Sequence, residues 1–130
     1  MKNVIFALAL LAGISAQAAQ VPAFKCMVPA NAPSVSVNIS VSDNESVDFV
    51  TVDLNDKAKV NLFMQMEKDS FKKQVDAGQL TTLVLGDQFQ QGNDGVIRDS
   101  GILALGLENG KWGGLLSAKG NVYPLDCTKL

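Results

Sequence analysis

The chain has 130 residues, with 11 basic and 13 acidic side chains, two cysteines and no histidine, and its net charge is −2. This balance provides no positive field for binding phosphates, so the composition argues against a nucleic-acid partner. Without histidine, the chain lacks the base of Ser-His-Asp and Cys-His catalysis and one of the usual zinc ligands.

The first 18 residues have the three-part layout of a secretory signal peptide, of a kind typical of bacteria. Lys2 provides a positive charge, residues 4–14 form an apolar run, and residues 16–18 are a small-residue cleavage site. The run is too short to span a bilayer as a helix, and Ile14 stands where a lipoprotein would need cysteine. We therefore predict that residues 1–18 are removed, and that residues 19–130 form a single β domain without membrane insertion.

Residues 33–42 read PSVSVNISVS, with valine or isoleucine at every odd position from 35 to 41. Strict period-two alternation predicts a β-strand with one buried face, because successive side chains on a strand point to opposite sides. Residues 43–46 are turn-forming, and the alternation resumes over residues 47–54 and 60–66. The first half of the chain is thus predicted to consist of hairpins.

The segment that follows departs from this alternation. Phe71 and Val75 stand four residues apart, Asp69 precedes them as a potential N-cap, and Gly78 follows. This spacing predicts a short helix near residues 69–77. A continued strand is the alternative.

The second half of the chain returns to strand signals. Residues 80–85 form a short apolar strand, residues 86–95 form a polar loop, and another strand runs through Ile102. Asn109 and Gly110 form the clearest turn, because a type I′ hairpin requires positive φ at both central positions and this pair tolerates it best. The strands on either side of the pair are therefore predicted to form a hairpin.

Two more strands complete the predicted fold. Residues 119–121 make a tight reversal before a last strand at residues 122–127, and residues 24–28 form the first strand. About eight short strands joined by short turns predict an all-β antiparallel meander, for which we favour a barrel over a two-sheet sandwich. A barrel pairs the first strand with the last and so removes exposed sheet edges.

Cys26 and Cys127 lie near the two ends of the predicted β domain and allow one intramolecular pairing. We predict a disulfide, which on the chain-entropy model is worth about 4–5 kcal/mol for a loop of about 100 residues. A redox or metal site is the alternative, but no CxxC pair and no histidine accompany the cysteines. We expect no metal and no cofactor.

Candidate catalytic groups are limited to carboxylates that are close in sequence. The pairs are Asp43 with Glu45, Asp53 with Asp56, and Asp94 with Asp99. Each pair lies in or beside a predicted turn, where acids are common. We therefore predict no catalytic residue.

The segment at residues 92–95 resembles part of a calcium loop. It lacks the alternating ligands and the terminal glutamate of an EF-hand, so a plain turn is the preferred interpretation. Asn93 and Asp94 are retained as candidate interaction residues on this turn.

Trp112, Gly113 and Gly114 form a second candidate interaction segment. Trp112 would either pack against Leu107 across the hairpin or serve as an exposed anchor for a partner. The two glycines fit a bend in a curved strand, or a place where a ligand approaches the backbone. Packing and curvature are the preferred alternatives.

The overall plan is similar to that of small bacterial periplasmic barrels such as the membrane-bound C-type lysozyme inhibitors. The signal peptide, Phe-Lys-Cys at residues 24–26 and Cys127 on the last strand carry this resemblance. That family inserts a serine-glycine-rich loop leading to a tyrosine, and a later Trp-x-Lys-Gly segment, into the lysozyme cleft. Here residues 112–114 read Trp-Gly-Gly and residues 119–120 read Lys-Gly, so the resemblance implies an architecture and transfers no functional residue.

These observations predict a non-enzymatic, exported binding module of the cell envelope, periplasmic or secreted, whose target is a protein or a small apolar ligand. A small barrel offers loops at its ends, or at most a small interior cavity, for such a site. The alternative is a periplasmic inhibitor of a lysozyme-like hydrolase that acts through the loops at residues 86–95 and 109–114. An enzyme ranks last because the side-chain inventory is poor.

Overall fold

The computed structural model describes residues 19–29, 32–43 and 46–130. The predicted signal peptide and its cleavage site lie outside these residues. The elements are β1 (Gln20–Val28), β2 (Ala32–Asp43), β3 (Val47–Asn55), β4 (Lys59–Glu67), α1 (Ser70–Asp76), β5 (Gln79–Gln91), β6 (Ile97–Glu108), β7 (Lys111–Ala118) and β8 (Asn121–Lys129).

The eight strands form a closed antiparallel barrel in chain order, with β1 paired to β8. The all-β meander and the preference for a barrel over a sandwich are therefore confirmed. Among the described residues there is one short helix, and it falls within the predicted range. Closure places the two terminal strands side by side, so neither is left as an exposed edge.

The alternation of apolar and polar residues along β2, β3 and β4 explains which face of these strands is buried. Ile39 lies opposite Val52, and Val52 lies opposite Leu62 in the next strand. None of the three side chains is more than 1% exposed, because directly opposite residues share a face and this face lines the barrel interior. The strict pattern of residues 33–42 thus specifies the inner side of β2.

Large apolar side chains fill the barrel. Those less than 2% exposed on the inner face are Phe24, Ile39, Leu54, Leu62, Leu80, Leu103 and Leu116. An eight-stranded barrel has little room beyond such side chains. The interior is therefore a packed core.

The disulfide closes the barrel between β1 and β8. Cys26 and Cys127 are directly opposite in the register, with Cα atoms 4.0 Å apart, and the bridge spans 101 residues. The Leu130 N–H also donates to the Ala23 carbonyl oxygen at 2.9 Å. The predicted bridge is confirmed.

The junction between β4 and β5 is much less regular, and we call it the β4–β5 seam. Within the described chain, these strands pair only at Phe63 and Leu85, whereas β3 and β4 pair at nine positions. Helix α1 connects the two strands, and its Phe71 and Val75 are buried in the core. The helix therefore fills space where strand pairing is interrupted.

A carboxylate from another strand caps α1. Asp69 occupies the predicted N-cap position with a left-handed φ of 69°, but its side chain makes no capping hydrogen bond. Instead, Asp48 on β3 accepts a hydrogen bond from the Phe71 N–H at 3.1 Å. The predicted position was right, but the capping group comes from a residue distant in sequence.

β5 is longer than predicted. Residues 86–91 continue the strand, so the loop predicted at residues 86–95 shortens to a tight turn after Gln91. The register with β6 shifts between Leu85 and Gln90, which leaves four residues of β5 opposite Asp99 alone. This bulge makes residues 86–89 an irregular part of the strand.

Candidate functional site

The two predicted interaction segments lie at opposite ends of the barrel. Trp112, Gly113 and Gly114 begin β7, at the end that carries α1, which we call the helix end. Asn93 and Asp94 are exposed in the turn between β5 and β6, at the other end. The 12 residues of β6 separate the ends by roughly 40 Å at about 3.3 Å per residue, so the segments cannot form one site.

Trp112 is a packing residue. It is 7% exposed, lies opposite Leu107 as predicted, and its ring packs edge-on against Phe24 with ring centroids 5.0 Å apart. The indole therefore faces the core, and it is not an exposed anchor.

A groove runs over the backbone next to Trp112. Gly106 lies opposite Gly113, and Gly113 lies opposite Asp126, so two neighbouring strands lack side chains here. The resulting cavity has a volume of about 350 Å³, and Lys111 stands at its rim. A space of about 610 Å³ over the end of β8 shares Lys111 and Asp126 with it. We call the first cavity the glycine groove.

An apolar surface adjoins the glycine groove on the outside of β6, β7 and β8. The register aligns Ala104, Leu115 and Pro124 in one row, and Ile102, Ser117 and Val122 in the next. We call Ile102, Ala104, Leu115, Val122 and Pro124 the β6–β8 face. Exposure is 49% for Ile102, 38% for Leu115 and 63% for Val122. Three strands thus present large apolar side chains to solvent together, which is typical of an interaction surface.

The β6–β8 face is absent from our sequence predictions, although the sequence carries a signal for it. Residues 102–107 read ILALGL, so both sets of alternating positions are apolar. One set lines the barrel, and the other set must then face outward. Only the register shows that Leu115 and Val122 join it on the same side.

A charged cluster holds the bulge of β5 at the other end. Asp99 accepts hydrogen bonds from the Lys119 Nζ and the Gln88 N–H, both at 2.6 Å, and Asp87 lies 3.8 Å from the same Nζ. The hydrogen bond between Lys119 and Asp99 lowers the pKa of Asp99 and raises the pKa of Lys119. The cluster joins β5 and β6 to the turn between β7 and β8, and it therefore stabilises the bulge.

Asp94 also has a local structural role. Its carboxylate accepts hydrogen bonds from the Arg98 guanidinium at 2.9 Å and from the Val96 N–H at 3.0 Å. The hydrogen bond from Arg98 lowers the pKa of Asp94. The carboxylate therefore stabilises the turn in which it lies.

Asp53 and Asp56, another carboxylate pair singled out in the sequence, have different surroundings. Burial raises the pKa of Asp53, whereas Asp56 accepts a hydrogen bond from the Tyr123 hydroxyl at 2.9 Å. Burial also raises the pKa of Tyr123. Glu45 lies outside the described residues, so its predicted pairing with Asp43 is untested.

Residues 19–29, 32–43 and 46–130 contain no group of three or more acidic or cysteine side chains that could hold a metal ion. The helix in these ranges is neither long nor apolar enough to cross a membrane.

The fold and the sites together define a small antiparallel barrel whose first and last strands are joined by a disulfide, with an exposed apolar outer face and a helix in a strand seam. The disulfide fits an oxidising compartment, since such bridges are rare in the cytosol. Comparisons with protein-family models, curated proteins and solved structures found no match for the chain.

Proposed function

We propose that the protein is a non-enzymatic binding module of the cell envelope, periplasmic or secreted, and that a folded protein with an apolar surface docks on its β6–β8 face. The observation that carries this proposal is the pair of neighbouring rows in which Ile102, Leu115 and Val122 expose large apolar side chains on three adjacent strands. Such patches on small proteins are commonly interaction sites.

The surroundings of the β6–β8 face support a protein partner. Lys111 and Asp126 flank the glycine groove beside the apolar rows, so a polar rim with both charge signs borders an apolar centre. This is the usual anatomy of a protein interface. The packed barrel interior favours this partner over a small apolar ligand held inside.

The compartment is proposed on two observations. The disulfide fits an oxidising environment, and residues 1–18 have the layout of a signal peptide. The mass of the purified native protein tests both, because it reports cleavage after Ala18 and the two hydrogens lost on forming the bridge.

The docking proposal is tested by site-specific photo-crosslinking in the producing cell. The photoreactive residue p-benzoylphenylalanine replaces Leu115 or Val122 on the β6–β8 face, or Asn61 on the outer side of β4 as the matched control. We expect one protein to be captured from both face positions and not from Asn61. Equal capture at Asn61 would contradict a defined docking face.

Binding of the purified partner completes the test. We expect Leu115→Lys to weaken a saturable complex by about tenfold or more, because it places a charge in the apolar centre, whereas Asn61→Lys leaves affinity unchanged. Failure of the purified proteins to form a saturable complex would overturn the proposal. So would a defined turnover activity that is lost on changing Asp94 or Asp99.

Hydrolase inhibition is an outcome of the same experiment. The loops predicted for it were residues 86–95, which the structure reduces to the turn after Gln91, and residues 109–114; they lie at opposite ends of the barrel and cannot enter one cleft together. If the captured partner is a lysozyme-like hydrolase that the protein inhibits, and if Leu115→Lys abolishes inhibition, the β6–β8 face is the inhibitory surface.

A further inference from the structure

The β4–β5 seam leaves one edge of β5 without a regular strand partner. Within the described chain, pairing between β4 and β5 is limited to Phe63 and Leu85. In a strand, the N–H and C=O groups of alternate residues point to the same side. The Thr81 N–H donates to Gln74 of α1, so the N–H and C=O groups of Thr81 and Leu83 point to the seam.

Side chains form hydrogen bonds with these seam-facing N–H and C=O groups, which would otherwise pair with a neighbouring strand. The Thr81 N–H donates to the side-chain amide oxygen of Gln74 in α1 at 2.8 Å. The Leu83 carbonyl oxygen accepts a hydrogen bond from the Thr82 hydroxyl at 2.9 Å. The Gln74 oxygen is an amide carbonyl, the same chemical group that a paired strand would present to Thr81.

The helix that supplies Gln74 depends on tertiary contacts. α1 has seven residues, a length at which an isolated helix is unstable in water. Its attachments include the buried side chains of Phe71 and Val75, the hydrogen bond from the Phe71 N–H to Asp48, and Gln74 itself. A seven-residue helix that depends on such contacts opens at lower cost than the paired barrel strands.

We propose that the seam edge of β5 is a strand-addition site, at which an extended peptide displaces α1 and pairs with residues 79–84. The peptide backbone replaces the Gln74 amide oxygen at Thr81 and adds partners along the edge. Apolar side chains at alternate peptide positions face the core beside Leu80 and Val84, in place of Phe71 and Val75. This site differs from the β6–β8 face and does not depend on it.

Fluorescence anisotropy with a defined peptide tests the proposal. The probe is a labelled synthetic copy of β4, residues 59–67, because this sequence carries the required alternation. The matched control carries proline at the positions of Phe63 and Gln65, which removes two of the N–H groups that would pair with β5. We expect saturable binding of the β4 peptide to the purified protein and none of the proline peptide.

Two variants locate the bound peptide. Gln74→Ala removes the competing amide oxygen and should tighten binding roughly 2- to 10-fold. Gln90→Ala, which changes an exposed glutamine of β5 in the part paired with β6, should leave the affinity unchanged. Far-UV circular dichroism verifies that both variants are folded. Hydrogen exchange should show the α1 amides losing protection and the Leu83 amide gaining it when peptide binds.

Several outcomes overturn the proposal. Equal binding of the two peptides would show that main-chain pairing is not involved. Equal effects of Gln74→Ala and Gln90→Ala, or altered protection away from the seam, would show that the peptide binds elsewhere. A Gln74→Ala dimer that the β4 peptide dissociates would assign the seam to a second copy of the chain. None of these results bears on the β6–β8 face.

Discussion

Asp48 shows how one buried carboxylate positions an element that is distant in sequence. Asp48 lies on β3, more than 20 residues upstream of α1, and its side chain is 5% exposed. It accepts a hydrogen bond from the Phe71 N–H. A carboxylate at a helix N-terminus also interacts favourably with the positive end of the helix dipole. Asp48 therefore fixes α1 on the barrel, whereas Asp69 only provides the backbone conformation at the N-cap.

Replacing Asp48 should thus destabilise the protein more than replacing Asp69. We expect Asp48→Ala to lower the free energy of unfolding by about 1–3 kcal/mol, because the Phe71 N–H loses its partner. Asp69→Asn, which keeps a residue tolerant of the left-handed conformation, should have almost no effect. Urea unfolding measures both variants. A larger loss for Asp69→Asn would show that Asp69 is the capping residue.

The protonation of Asp99 makes the stability of the folded protein depend on pH. The hydrogen bond from Lys119 lowers the pKa of Asp99, so near its ordinary pKa the unfolded chain binds more protons than the folded one. The stabilisation is complete above the ordinary carboxyl pKa. It is lost as the pH falls through the lowered value, below about 4.

The urea midpoint of the native protein should therefore fall between pH 6 and pH 2.5. Asp99→Asn should make this fall shallower, since the variant has lost the group that gains a proton. Glu108→Gln removes an exposed carboxylate at the other end of β6 and is the matched control. If the urea midpoints of the native protein and Asp99→Asn depended on pH in the same way, the assigned role of the Asp99–Lys119 pair would be contradicted.

At the scale of elements, the pairing of β6 with β7 depends on close backbone approach. A Cβ atom on Gly101 would collide with the Ser117 carbonyl oxygen, and one on Gly114 would collide with the Ala104 carbonyl oxygen. A Cβ atom on Gly106 meets no atom within 4 Å. Glycines on the same pair of strands thus have different roles.

We expect Gly101→Ala to destabilise the protein by about 1–3 kcal/mol, because the added methyl group forces the two strands apart. Gly106→Ala should be neutral or slightly stabilising, since it restricts the unfolded chain and meets open space. Thermal unfolding of the two variants compares them directly. A cost for Gly106→Ala equal to that for Gly101→Ala would mean that crowding is not the cause.

The sequence predicted the regular elements better than their irregular junctions. The strict alternation over residues 33–42 and the Asn109–Gly110 pair are local signals. They correctly predicted β2 and the hairpin turn between β6 and β7. The bulge opposite Asp99 and the capping by Asp48 depend on contacts across strands. Trp112 was correctly placed opposite Leu107, but the glycine groove beside it arises only where Gly106 meets Gly113.

For the whole molecule, the two seams of the barrel are joined in different ways. A covalent bridge between residues 26 and 127 joins β1 and β8. The β4–β5 seam relies on one paired position and the packing of α1. The barrel therefore consists of two four-stranded halves, β1–β4 and β5–β8, which are joined by a disulfide on one side and mainly by side-chain packing on the other.

Removing the bridge should destabilise the whole barrel. We expect the double variant Cys26→Ser and Cys127→Ser to lose about 4–5 kcal/mol, the chain-entropy value for a loop of about 100 residues. Urea unfolding with and without a reductant measures this loss. The reduced native protein should match the serine variant. A loss below about 1 kcal/mol would show that strand pairing alone closes the barrel.

The position of the two cysteines also sets the order of events while the chain is made. At synthesis rates of about 5–20 residues per second, Cys26 emerges roughly 5–20 s before Cys127 becomes available. The chain has no other cysteine, so no incorrect internal bridge can form during this interval. The bridge can form only once β8 is available, because Cys127 lies in that strand.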